Sequence, residues 1–229
     1  HIAAVRTGKQ CWTLYQDDKQ VKCVIDSTVW PNYTGFVNIG NDGTASGTEG
    51  VNGYFDETRI SSVARYGNID TPTAPLNTWQ TAGRGQNALL PHHTKLLIQA
   101  NTTTTTSSTI IDETGRHTVT VTGAAHSQGK TNFGNTAIYF DGSNDVLTLA
   151  DSSDWDMTQD FSLETWVAHI DHAGTDDYFH QGRTSSPNND YFHFFHHNTA
   201  GLRFTNEASS GGYIVDTGAH GEIADNDWH

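Results

Sequence analysis

Basic residues are scarce in this chain. Its 229 residues carry 12 Lys and Arg against 26 Asp and Glu, a formal net charge of −14. Phosphate backbones are held by clustered Lys and Arg, so no nucleic acid is expected as a partner. An anionic membrane surface is excluded on the same ground. Apolar runs are short, and none approaches the roughly 18 consecutive residues of a membrane span, so no membrane insertion is expected. Neither a G-x-S-x-G nor a metalloprotease pattern occurs, and the chain is not expected to be an enzyme. The acidic balance suits solubility and cation binding.

What is abundant is Gly (22), together with Thr and Asn, over 34% hydrophobic and 10% aromatic residues. That mixture describes many short strands joined by polar turns. Strand patterns fall at 1–6, 10–26 as a hairpin, 35–40, 54–60, 96–98, 117–122, 136–140, 145–149, 161–170, 178–180, 191–196, 202–205 and 213–217. Trp228 opens a last one. Such a series implies an all-β antiparallel β-sandwich. The Thr/Ser tract 101–109 reads as a solvated loop.

In the hairpin, a two-residue Asp17-Asp18 turn pairs Gln16 with Lys19. Strict alternation then opposes Trp12 to Cys23 and Leu14 to Val21, which puts the sulfurs of Cys11 and Cys23 on opposite faces. No disulfide is expected in that register; a three-residue turn would oppose the two directly.

The two ends of the chain belong together. Asn226-Asp227-Trp228-His229 followed by His1-Ile2-Ala3-Ala4-Val5-Arg6 reads as a polar turn and one strand, and a cut strand leaves an unpaired edge. Residues 1–71 form one block, 72–93 (with Pro72, Pro75 and Pro91) read as a linker, and 94–229 form a second block.

The stretches Thr136–Leu149, Asp151–Asp156 and Asp160–Val167 resemble the opening strands of laminin-G-like, concanavalin A-like jelly-roll domains. Trp228-His229 with His1–Arg6, the hairpin 11–25 and Gly53–Tyr66 resemble the closing half. The resemblance therefore implies a jelly roll with its halves in permuted order: 1–71 the C-terminal half, 94–229 the N-terminal part. It further implies a structural or adhesive module of a phage fibre, another virion component or a cell-surface assembly, lying outside the cell or on a virion. Neighbouring copies, or adjacent modules of one long chain, would complete its strands. The alternative is a lectin-like module that attaches to cell-surface glycans.

Site residues follow from both readings. Jelly rolls of this kind often hold a structural Ca²⁺ at a sheet rim. The turn residues Asp141, Asn144 and Asp145, with Asp56 on the closing strand, would supply its oxygens. For a sugar, Trp30, Tyr33, Tyr178, Tyr191 and Tyr213 offer rings to stack, with His193 as a flanking polar group. The chain has thirteen His. Alternation along 191–197 sets Tyr191, His193, Phe195 and His197 on one face and Phe192, Phe194 and His196 on the other. Imidazoles from His169, His172 and His180 on neighbouring strands could converge with His193 on a transition metal. A retaining glycosidase needs two carboxylates about 5 Å apart, whereas Glu164 stands alone in its strand.

Overall fold

The structure, a computed structural model, describes residues 1–8, 10–27, 30–43, 49–66, 93–104, 106–171, 174–182, 191–206, 212–218, 223 and 226–229. In chain order the strands are β1 (Ile2–Thr7), β2 (Cys11–Gln16), β3 (Lys19–Ile25), β4 (Val37–Ile39), β5 (Asn52–Ser61), β6 (Thr94–Ile98), β7 (Val119–Thr122) and β8 (Ala125–Ser127). They continue with β9 (Ala137–Asp141), β10 (Val146–Leu149), β11 (Phe161–Asp171), β12 (Thr175–Gly182), β13 (Tyr191–His197), β14 (Gly201–Asn206) and β15 (Gly212–Asp216). A 3-10 turn at Ser153–Trp155 buries Trp155. No helix among the described residues is long and apolar enough to cross a membrane.

Two antiparallel sheets form a β-sandwich. Sheet A runs β3-β2-β1-β11-β5-β9-β8, with β6 also on β5; sheet B runs β15-β14-β13-β12-β4-β10-β7. Between them lies one core, where Ile2, Trp12, Leu14, Phe55, Leu163 and Val167 of sheet A meet Val37, Ile39, Phe179, Phe192, Phe194 and Phe204 of sheet B. Aromatic contacts tie the layers: Trp12 packs 5.2 Å from Phe204 and Phe55 5.9 Å from Tyr178, ring centre to ring centre.

Residues from both sequence blocks interleave in both sheets. β5 pairs with β11 on one side and with β9 and β6 on the other, and β4 lies between β12 and β10. The segment read as a linker lies outside the described residues except for His93, whose carbonyl accepts the Ser62 N–H at 2.8 Å.

The ends meet on β11. His229 exchanges both backbone hydrogen bonds with Val167, each 2.8 Å. Ile2 stands opposite Thr165. Trp166 between them falls opposite His1, so tail and head occupy consecutive places in one row. Asp17 of the hairpin turn holds this junction, its N–H donating to the His1 carbonyl at 2.7 Å and its carboxylate 3.1 Å from His229 Nδ1.

The hairpin corrects one expectation. Asp17 and Asp18 take φ of 51° and 61°, and Gln16 pairs with Lys19 through the two-residue turn, as the sequence implied. A bulge between Leu14 and Tyr15 then shifts the register by one, so Thr13, not Trp12, opposes Cys23. An extra residue on one strand flips all that follow to the other face. Cys11 and Cys23 consequently share a face, with Sγ atoms 3.0 Å apart and both thiols free. β8 was not legible as a strand. The Thr/Ser tract beside it is pinned, since Thr106 N–H donates to the His126 carbonyl at 2.8 Å and His126 N–H to that of Ser107 at 2.9 Å.

Candidate functional site

Sheet B presents an unbroken polar row to its outer face. In register across six strands stand Thr120, Thr148, Asn38, His180, His193 and Thr205. The flanking rows, with Leu147, Ile39, Phe179 and Phe194 on one side and Leu149, Val37 and Phe192 on the other, belong to the core. Alternation on β13 is as the sequence implied, with Tyr191, His193 and Phe195 outward.

A bulge between Asp177 and Phe179 places Asp177 on that outer face, opposite Phe195. The loop after β4 folds over it. Gly40 and Gly43 turn this loop with φ of 86° and 77°, and a Cβ on either would strike Phe140 or Asn38. Asn38 Nδ2 holds the Asp42 carbonyl at 3.0 Å, and Asp177 N–H donates to the Glu49 carbonyl at 3.1 Å. These contacts bring the carboxylate of Glu49 to Asp177 and His193. One ligand atom from each of the three lies within 4.8 Å of the others.

Asp177 pairs with His193 Nε2. His180 sets its ring edge-on to His193, centres 5.6 Å apart, and 5.2 Å from Tyr191. Burial, then the neighbouring Asp42, pushes the Asp177 carboxyl well above the usual carboxylate range. Glu49 is pushed up by burial and by Asp177 and Asp42, with His193 opposing. His180 is driven down to about 3, by burial first and then by His193. Asp177 Oδ2 and His180 Nδ1 are buried without a hydrogen-bond partner. Such atoms cost about 1–3 kcal/mol each.

The sequence-derived calcium ligands do not converge. Asp56 lies on β5 where the pairing passes from β9 to β6, and its carboxylate takes the N–H groups of Glu57 and Phe133, each at 2.9 Å. Burial raises it to about 7. Asp141 faces Asn52, four residues along β5 from Asp56, about 13 Å of extended chain. In the β9–β10 turn, Asp145 accepts the Asp141 N–H and Asp141 that of Ser143, while Asn144 is exposed. These side chains close the turn on itself.

Three of the sugar-stacking candidates are core residues: Trp30 and Tyr33 are 3% exposed and Tyr178 is 0%. Trp30 packs on Trp12, Phe192 and Phe204, and Tyr178 bonds His169 Nε2 at 3.0 Å, so none offers a ring face to a ligand. Tyr191 and His193 do sit on the outer face, beside the carboxylates. The side chain of Tyr213 and all of His172 fall outside the described residues. Asp42, Glu49 and Asp177 escaped sequence reasoning because they come from a loop and a bulge, and no fixed spacing links them.

Glu164 is not alone either. On the outer face of sheet A it is fully buried, with Arg65 Nε at 2.6 Å, Arg59 Nε at 3.7 Å, His1 Nε2 at 3.6 Å and the Tyr66 hydroxyl donating to it. Burial raises its carboxyl, but Arg65, His1 and Arg59 outweigh this and hold it at about 2. Asp18 stands across the His1 ring, 3.4 Å from its Nδ1, as a second carboxylate of this group. Comparison with family models, curated proteins and solved structures returns no match.

Proposed function

We propose that this chain is a structural or adhesive module of a larger surface assembly, a virion fibre or cell-surface protein, built as a jelly roll with permuted halves and acting outside the cell. The observation that carries this reading is the row on β11, where His229 on Val167 and Ile2 on Thr165 bring segments from far apart in the sequence into one row. A row filled by two segments far apart in sequence can be filled equally by one segment from each of two copies or modules, which is the geometry of strand exchange. Further copies of the chain, or adjacent modules, are its partners in this reading. Light scattering on fractionated protein over a range of concentrations tests it. Multimers that vanish when residues 226–229 are removed are expected. A full chain that stays monomeric at every concentration would overturn the reading.

A second reading, a glycan-binding module, is favoured by the outer row of sheet B. Exposed Thr120 and half-buried Thr148 and Tyr191 offer hydroxyls and one ring on this face, backed by the buried Asn38, His180 and His193. Retention on a glycan array that is lost in Tyr191→Ala is the expected result. No retention of the intact chain removes this reading.

A further inference from the structure

We propose that Glu49, Asp177 and His193 form a binding site for a divalent first-row transition-metal ion, zinc by class, on the outer face of sheet B. The inference is independent of the assembly and glycan readings.

Two carboxylates and one imidazole that come within 4.8 Å of one another are a recognised donor set for such an ion. Ligands each about 2.1 Å from an ion lie at most about 4 Å apart, so to seat the ion Glu49 closes in and the direct Asp177–His193 contact opens. Asp42 adds a third carboxylate to the same neighbourhood, since it acts on Glu49, Asp177 and His180 alike. Arg203, on the adjacent strand of this face, is bound to Asp216 at 3.0 Å through both Nε and Nη2. A cation brought from solution is the simplest neutraliser of this negative group.

One buried atom of the three-residue group independently marks a ligand, and a second stands on its flank. Asp177 Oδ2 has no hydrogen-bond partner, although the residue is 0% exposed. His180 Nδ1 is likewise unpartnered in a residue that is 5% exposed and packed edge-on against His193. A carboxylate oxygen and an imidazole nitrogen left without donors or acceptors inside the protein are groups that a metal would satisfy. The nitrogen donors select the class. Calcium takes six to eight oxygens, whereas mixed imidazole and carboxylate sets suit zinc and its neighbours. Bound there, the ion would fasten the loop carrying Glu49 to β12 and β13.

Isothermal titration calorimetry of the full 229-residue chain with ZnCl₂, after treatment with a chelator, tests the site. One zinc ion per chain is expected. Glu49→Gln and His193→Gln should each weaken it by more than the roughly 10–100-fold lost when a residue that merely orients a ligand is removed. His197→Gln, on the same strand but bonded to Thr199, should leave the affinity unchanged and so separates this site from adventitious zinc on surface histidines. Glu49 is only half buried and contributes its loop end, so Glu49→Gln keeps the test valid if a core variant fails to fold; circular dichroism reports the fold. Cobalt substitution should give the visible bands of a low-coordinate site, absent in Glu49→Gln. Absence of stoichiometric zinc binding, an affinity indifferent to both Glu49→Gln and His193→Gln, or tighter binding of CaCl₂ than of ZnCl₂ would each overturn the proposal.

Discussion

Glu164 and Asp177 are both carboxylates at 0% exposure on the outer faces of opposite sheets, and their surroundings differ in sign. Around Glu164 the chain supplies its own cations. Arg65 and Arg59 come from β5 and the segment after it, His1 flanks them, and Tyr66 closes the group over a small apolar cluster of Ala3, Val5 and Tyr15. Around Asp177 stand further acids, Glu49 and Asp42, with His193 as its partner. One charge is satisfied by the fold itself. The other has a single histidine partner and stands among further acids. Burying a carboxylate is costly in either case, so the two sites separate a buried acid balanced by fixed guanidinium groups from one crowded by other acids.

The largest break in this comparison should come from Glu164→Ala. It strands two buried guanidinium groups and should cost about 3–5 kcal/mol in denaturant unfolding. A comparable effect should appear with acid. The folded carboxyl at about 2 lies below its ordinary value of 4.5. Its stabilisation is therefore complete above pH 4.5 and is lost as pH falls toward 2, about 3 kcal/mol in all. A stability profile over that window should flatten in Glu164→Gln.

The outer face of sheet A also holds Cys11 and Cys23, with sulfurs 3.0 Å apart. Oxidised glutathione should join them by thiol–disulfide exchange, releasing two equivalents of reduced glutathione and closing the β2–β3 hairpin. The gain should be about 2–3 kcal/mol for so short a loop, read as a rise in Tm absent from Cys23→Ser. The smallest effect is expected at Asp177. In chelator, Asp177→Asn should change stability by less than about 1 kcal/mol, because burial and Asp42 already favour the neutral carboxyl and the amide keeps its shape. A loss as large as that of Glu164→Ala would erase the distinction between the two faces.

Most strands were legible because alternation and turn residues are local signals. β2, β3 and β11 fall where their patterns placed them, and β13 turns the predicted residues outward. The continuity of 226–229 with 1–6 was legible too, whereas the pairing of both with β11 was not. Bulges were not legible. One between Leu14 and Tyr15 brought the cysteines together, and one between Asp177 and Phe179 turned Asp177 outward. The aromatic candidates Trp30, Tyr33 and Tyr178 failed for a related reason. A sandwich core claims large rings first, and no local pattern separates a ring that packs from one that binds.

Composition, period-two alternation and turn chemistry determined by themselves that this chain is an all-β sandwich, because each is set by neighbours a few residues apart. Only the tertiary structure decided which acids meet which partners. Glu164 found Arg65, and Asp177 found Glu49, across 99 and 128 residues of chain, as differences of their residue numbers. Sheet pairing, bulges and loop closure set those distances, and no short stretch of sequence contains them.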